Sequence, residues 1–533
     1  EAINKQALRV LKLFGNTTAT RVVSTVGAEQ EYFLIDKEMY NQRKDLILTG
    51  RTLFGAKPPK GQELEDHYFG VIKERVAAFM KDVNIQLWKL GVSAKTQHNE
   101  VAPAQHELAP VFSTTNVATD HNQLTMEILK RVAERHGLAC LLHEKPFAGV
   151  NGSGKHNNWS LSTNDGQNLL DPGTTPHENA QFLTFLAAII KAVDVYADLL
   201  RVSAANPGND HRLGANEAPP AIISIFLGDQ LSDILTQISA GNLNSSKQGG
   251  ELTIGVSTLP ALPKDNTDRN RTSPFAFTGN KFEFRMVPSS ASISGPNFVT
   301  NTIVAQTLSE IADELEGAND FNAKLQEILQ RIVKDHGRIV FNGNGYSEEW
   351  VVEAEARGLA NIRSTVESVP SLITETAIKL FESHAVLTKA ELESRYEITL
   401  EAYIKQINIE ALTMLDMAKR QIMPSTIKFV TELAGSIIAV KSTGVDADLS
   451  AQTGMLSEVS SALAALKQNI SQLENVSTVA GEMHGDSYKQ ASYYKDTVFP
   501  AMEELRKNAD QLETLVDAKL WPIPTYADML FNI

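Results

Sequence analysis

Apolar positions along the chain recur in two rhythms, and the change falls near residue 303. In VVSTVGAEQEYFLID, residues 22–36, an extended chain turns alternate side chains to opposite sides. That predicts one strand, with Glu29, Glu31 and Phe33 on one face and Gln30, Tyr32 and Leu34 on the other. A polar loop containing Pro58 and Pro59 follows to about residue 66, and helical periodicity then runs over 67–90 and 117–137. Between those helices lies QHNEVAPAQHELAP, residues 97–110, flanked by extended segments. LACLLHEKPFAGVNGSGKHNNWSLS, residues 138–162, turns back into strand and loop. In NKFEFRMVP, Lys281, Glu283 and Arg285 alternate with Phe282, Phe284 and Met286, a charged row on one face and an apolar row on the other. Strands alternating with helices up to about residue 300 predict an α+β sheet domain.

Beyond residue 303 the rhythm is helical. Leu456, Val459, Leu463, Leu466, Ile470 and Leu473 recur at spacings of three and four, as do Met502, Leu505, Ala509, Leu512 and Val516. Gly481, His484 and Gly485 lie between the two series, which predicts an antiparallel helical hairpin over about 452–520, with the tail from Trp521 to Leu530 folding back onto the body. Such seams are scaffold or oligomer contacts, and no chemistry is assigned to them. The most apolar stretch, Phe182 to Leu200, contains Lys191, Asp194 and Asp198, so it reads as a buried amphipathic helix rather than a membrane span. The opening EAINKQALRVLKLFG reads as a helix entered partway, with an N-terminal part expected before it. The expected organisation is a linker helix in 1–20, a sheet domain over 21–302 and a mainly helical region over 303–533.

At 533 residues the chain is too long for one ordinary core. Its 64 acidic and 49 basic residues give a formal charge of −15, which argues against nucleic-acid or anionic-membrane binding and suits a protein that concentrates cations. Cys140 is the sole cysteine, so no intrachain disulfide forms, which fits a reducing cytoplasm.

Part of the negative charge reads as a ligand shell. In a strand, residues two apart point the same way at roughly 7 Å, so Glu29 and Glu31 present two charges to one surface. Taken alone, this pair is an exposed acidic edge. With Glu100, Glu107 and Glu283 on the same concave face, however, each close pair in reduced dielectric costs on the order of several kcal/mol, enough to force protonation or a bound cation. Hard oxygen donors select Mg²⁺ or Mn²⁺, and five carboxylates exceed what one ion needs. His156 in NGSGKHNNWS is the imidazole candidate, behind a loop of Asn151, Gly152, Ser153 and Gly154 whose backbone can approach a ligand. A second loop, NPGNDHRLGANEAPPA, carries Arg212 and Glu217 and reads either as an ordinary surface loop or as a lid. Pro103 makes a continuous helix from Glu100 to Glu107 untenable, and a flat strand would send the two to opposite faces. For both to reach one surface the chain must bend between them, with His98 and His106 beside them.

GAEQEYFLID, EVAPAQHEL, KPFAGVNGSGKHNNWSL, RLGANEAP and KFEFRMVP, in this order across residues 20 to about 300, resemble glutamine synthetase. The long helical C-terminal region and the KHNNWS variant are most similar to the type III class. The resemblance implies a curved antiparallel catalytic sheet flanked by helices, and an ATP-dependent ligase that forms glutamine from L-glutamate and ammonium through γ-glutamyl phosphate. It implies one metal held by Glu31, Glu100 and Glu107 and a second held by Glu29, His156 and Glu283, with His98 and His106 as supporting residues. Asn151 and Gly152 would contact glutamate, Arg212 its carboxylate, and Arg285 the γ-carboxyl and the moving phosphoryl group. Glu217 would close a flap and deprotonate ammonium, and Phe112, Ser160 and Arg271 would serve ATP. A homo-oligomer in rings, a dodecamer, is expected. The chain departs from the family pattern at Ala276, where an arginine is usual, and at Asn158, where a second histidine is usual. Two other readings stand beside this one: a relative that joins glutamate to an amine or phosphorylates a guanidino compound, and a non-catalytic scaffold that binds metal and nucleotide.

Overall fold

The computed structural model describes residues 1–214, 218–241, 251–252, 262–263 and 271–532. Its strands are β1 (Val22–Ala28), β2 (Gln30–Asp36), β3 (Ala94–Asn99), β4 (Gln105–Pro110), β5 (Ser113–Thr114), β6 (Leu138–Leu141), β7 (Gly154–Thr163), β8 (Ile225–Phe226), β9 (Glu251–Leu252), β10 (Leu262–Pro263), β11 (Phe275–Phe277) and β12 (Phe282–Pro288). One sheet runs β5-β1-β7-β12-β11-β8, antiparallel except at β11 and β8; a second runs β3-β4-β2-β6, antiparallel throughout; β9 and β10 pair with each other. The α+β expectation holds, but the single antiparallel sheet that the resemblance implied is divided in two, with one parallel pair at β11 and β8.

The single strand expected over 22–36 is corrected to two strands in different sheets, joined at Glu29. The reason lies in the pairing. Glu29 N donates to the His156 carbonyl at 3.1 Å, extending the β1–β7 ladder by one residue, and the chain then crosses to pair with β4 and β6. The helix expected over 67–90 is shortened to Glu74–Lys89. Residues 67–70 form a turn and bend and 71–73 an irregular stretch instead, because Asn99 Nδ2 donates to the His67 carbonyl at 3.1 Å and the His67 ring meets the Glu100 carbonyl at 2.7 Å. The expected 117–137 helix is Thr115–Arg135.

Alternation on β2 builds cores on both faces of the four-stranded sheet. Tyr32 and Leu34 pack under the helices Glu74–Lys89 and Thr115–Arg135, while Phe33 and Ile35 pack against Phe147 and against Tyr526, Met529 and Leu530 of the tail. The tail is pinned as well as packed. Tyr526 Oη accepts from Ala148 N at 3.0 Å and from Arg506 Nη2 at 2.8 Å, and lies 2.6 Å from Thr52 Oγ1.

Phe182 to Leu200 forms the buried helix Ala180–Val195, followed by Ala197–Ser203. Its charges are paired, Lys191 with Glu310 at 2.6 Å and Asp194 with His336 at 2.8 Å and Arg338 at 2.9 Å. The helix Ser294–Glu316 crosses residue 302, and its buried side belongs to one core that takes in the first sheet and the later helices. The change of rhythm near 303 is therefore not a break in packing. The hairpin forms as Ser450–Gly481 against Phe499–Leu515, with Val459, Leu466, Ile470, Leu473, Met502, Leu505, Ala509 and Leu512 buried. Among the described residues one helical run, Lys389–Ser442, is long and apolar enough by length and composition to cross a membrane. Its first half instead contributes Leu392, Leu400, Ile407 and Met414 to the core, and Glu410 within it is ion-paired to Arg51 at 2.6 Å.

Candidate active site

The two sheets meet over a cavity of about 190 Å³, and most of the sequence candidates line it: Glu29, Glu31, Glu100, Glu107, Asn151, Gly152, His156, Arg212, Arg271, Glu283 and Arg285. Each arrives for a local reason. Glu29 sits at the crossover between sheets and Glu31 on β2, directly opposite Glu107 on β4. Glu100 and Glu107 stand on the two sides of the β3–β4 hairpin, whose turn is closed by Gln105 N to the Ala102 carbonyl at 3.1 Å and by Ala104 in the left-handed region at φ 62°. The bend inferred at Pro103 is this turn. On β12, Glu283 and Arg285 face the cavity while Phe282, Phe284 and Met286 enter the core.

The acidic groups form two clusters. In the first, His156 Nδ1 lies 3.0 Å from Glu29 Oε2 and 3.0 Å from Glu283 Oε1. Burial disfavours charge on His156, but hydrogen bonds to Glu283 and Glu29 outweigh it and hold the imidazole well above its usual range. Burial would likewise raise Glu283; His156 and then Arg285, whose Nη2 donates to Glu283 Oε2 at 3.0 Å, keep it well below the usual carboxylate range. Asn158, at the family's second histidine position, donates to Glu29 Oε1 at 3.0 Å.

The second cluster is His98, Glu100 and Glu107. His98 Nε2 lies 2.9 Å from Glu107 Oε1, and that hydrogen bond outweighs burial and lifts the ring to about 9. His98 thus faces the carboxylates directly, which the supporting role expected for it understated. His106 does stay behind them, buried against Tyr32 and His67 and depressed to about 3 by burial. Glu31 adds a carboxylate beside this cluster, its pKa raised by burial against the pull of His156 and Arg212, with one oxygen accepting from Gly154 N at 2.5 Å. Both clusters bring carboxylate oxygens and imidazole nitrogens within 4.8 Å of one another, a donor set suited to hard divalent cations.

The opposite wall is cationic. Arg212 is on the short helix Pro207–Arg212 rather than a loop, and its Nη2 donates to the Arg285 carbonyl at 3.2 Å. Its buried Nε has no partner among the described residues. A Cβ at Gly154 would lie 2.1 Å from Arg212 Nη2, and one at Gly152 would lie 2.3 Å from the Glu144 carbonyl, so the loop passes only as glycine. Asn151 is held by a residue the sequence did not single out. Gln62 Nε2 donates to Asn151 Oδ1 at 2.7 Å while Asn151 N donates to Gln62 Oε1 at 2.9 Å. Tyr68, from the same segment, lines the cavity 6.0 Å from the Arg271 guanidinium. Two candidates lie outside the lining: Phe112 is exposed and packs its backbone and Cβ near Gly27, and Ser160 donates to Asn168 Oδ1 at 3.0 Å and the Asn280 carbonyl at 2.9 Å. Glu217 lies outside the described residues.

A profile described as the glutamine synthetase catalytic domain matches residues 5–224, and one described as the glutamine synthetase C-terminal domain matches residues 324–441. The glutamine synthetase of Butyrivibrio fibrisolvens is 49% identical over 536 aligned residues, covering 100% of this chain and 76% of that protein. The chain belongs to the glutamine synthetase family. The type-3 glutamine synthetase of Dictyostelium discoideum is 47% identical over 100% of this chain and 73% of its own length, and the glutamine synthetase of Bacteroides fragilis 42% over 100% and 74%. Within the glutamine synthetases the chain is most like the type III class. It is a glutamate–ammonia ligase that makes glutamine from glutamate and ammonia, and glutamine synthetase membership brings ATP and divalent metal into the reaction.

Proposed function

We propose that the carboxylate and imidazole clusters hold two divalent cations, Mg²⁺ or Mn²⁺, with Glu31, Glu100 and Glu107 around one and Glu29, His156 and Glu283 around the other. The observation that carries this reading is the convergence of both clusters with Arg212 and Arg285 on one cavity. Bound cations would screen the repulsion between glutamate's γ-carboxylate and the ATP phosphates and stabilise charge on the transferring group.

The chain's own residues supply the rest. Arg212, with a buried N–H not satisfied among the described residues, takes the α-carboxylate of glutamate, while Asn151 and Gly152 fix the amino acid against the loop. Arg285, already paired to Glu283, turns toward the γ-carboxyl and the phosphoryl oxygens. Arg271, at the cavity, and Ser160 and Phe112, outside its lining, serve ATP. Glu217 closes over the acyl phosphate, excludes water and takes a proton from ammonium. The enzyme works in the cytoplasm as a ring-forming homo-oligomer, a dodecamer.

Replacing Glu283 by Gln tests the assignment. The expected result is loss of Mn²⁺-dependent phosphoryl transfer by a hundredfold or more, on the order seen when one charge-stabilising group is removed, with an unchanged circular dichroism spectrum. Retained activity removes Glu283 from the ligand set. ADP release should depend on ammonium and not on alkylamines or guanidino compounds.

A further inference from the structure

A second cavity, of about 490 Å³, lies on the far side of the substrate loop, between it and the helix Phe499–Leu515. Arg51, Lys145, His211 and Arg506 line it. Two of these cations already carry a carboxylate partner, Arg51 with Glu410 at 2.6 Å and Arg506 with Asp510 at 3.0 Å, and two carboxylates also line the cavity, Glu503 and Asp210, the latter accepting from Thr365 N at 2.9 Å. Lys145 Nζ donates to the Val150 carbonyl rather than to a carboxylate.

Two buried nitrogens are left over. Arg51 is 8% exposed, and its Nε is buried without a partner among the described residues, as is His211 Nε2. The His211 ring stacks on Phe499 with centroids 5.0 Å apart. Burial, followed by Arg51, His143, Arg506 and Lys145, pushes His211 well below its usual range, and burial followed by Arg212 lowers Lys145 to about 8. The wall therefore offers a lysine without a carboxylate partner among the described residues and a buried Arg51 N–H likewise without a partner, together with His211 Nε2 in the tautomer that carries its proton there, donors that suit an oxygen anion.

We propose that this cavity is an effector site for a small oxyanion, a phosphate or a carboxylate, held by Arg51, Lys145, His211 and Arg506. It is separate from the catalytic cavity but adjoins the same loop. Ala148 and Gly149 line it immediately before Val150, Asn151 and Gly152, and Lys145 grips the Val150 carbonyl, so a bound anion bears on the backbone that meets glutamate.

Calorimetric titration of the full chain with inorganic phosphate, and in a second arm with succinate, tests it. Lys145→Gln and His211→Phe, the latter keeping the stack on Phe499, should each weaken binding about fivefold, as for loss of a charge-assisted or buried hydrogen bond. Glu503 is exposed at the rim, and Glu503→Gln should tighten binding about twofold by removing a repelling charge, an effect that misfolding cannot mimic. Binding of phosphate alone or of succinate alone supports the site and assigns its ligand class. Equal binding in all four chains, no tightening in Glu503→Gln, or no binding of either anion at millimolar concentration overturns it.

Discussion

Asn151 illustrates how much of the site depends on single contacts from distant sequence. Its two hydrogen bonds to Gln62, at 2.7 and 2.9 Å, fix both its backbone and its amide. Gln62→Leu should raise KM for glutamate roughly tenfold, on the order of losing two hydrogen bonds, with a smaller change in kcat and unchanged Mn²⁺ affinity. Equal falls in metal affinity and KM effect would show that the contact supports the whole cavity instead. The metal-site candidates and the arginines were legible because carboxylates, a glycine loop and a charged strand occur in one order along the chain. Gln62 was not, since a polar residue in an aperiodic loop carries no mark of a partner 89 positions away. His98 was undervalued because its ring meets Glu107 only after β3 and β4 pair.

At the scale of elements, the β3–β4 turn sets the spacing of Glu100 and Glu107. Ala104 holds φ 62° in it and is 4% exposed. A β-branched residue there meets both the left-handed backbone and a closed core, so Ala104→Val should destabilise the fold by about 2 kcal/mol and weaken Mn²⁺ binding, read by thermal unfolding and metal titration. Periodicity found most of the helical seam: Val459, Leu466, Ile470 and Leu473 are buried, as are Met502, Leu505, Ala509 and Leu512, while Leu456 and Leu463 are only partly buried. Strand alternation assigned the faces of β2 and β12 correctly but could not see that Glu29 leaves one sheet as Glu31 enters another. A change of hydrogen-bond partner leaves no trace in a two-residue period.

Across the whole molecule, polar joints tie the catalytic body to the C-terminal helices. Arg43 and Asp45 are fully buried at 2.5 Å, and Arg43 Nη1 also donates to the Pro524 carbonyl at 2.9 Å. Arg43→Met strands the Asp45 carboxylate and should cost about 3–5 kcal/mol, lowering the urea midpoint. Close by, burial raises Glu513 from 4.5 to about 7 although it accepts a hydrogen bond from Ala56 N. The folded state thus binds more protons than the unfolded state between those values, and this group's contribution to stability falls as pH rises from 4.5 to 7. Glu513→Gln should flatten that slope and raise Tm at pH 8 by a few degrees; a lower Tm there would show that the charge is wanted.

The Tyr526 hydroxyl lies beside Thr52, 474 positions earlier in the chain, and holds Ala148 just ahead of the substrate loop. On a ribosome adding roughly 5–20 residues per second, the early strands wait about half a minute to a minute and a half for that hydroxyl to emerge. The loop that meets glutamate is therefore secured only late in synthesis, so a nascent chain stalled just before Tyr526 carries all of the acidic cluster residues without the clasp that completes their surroundings.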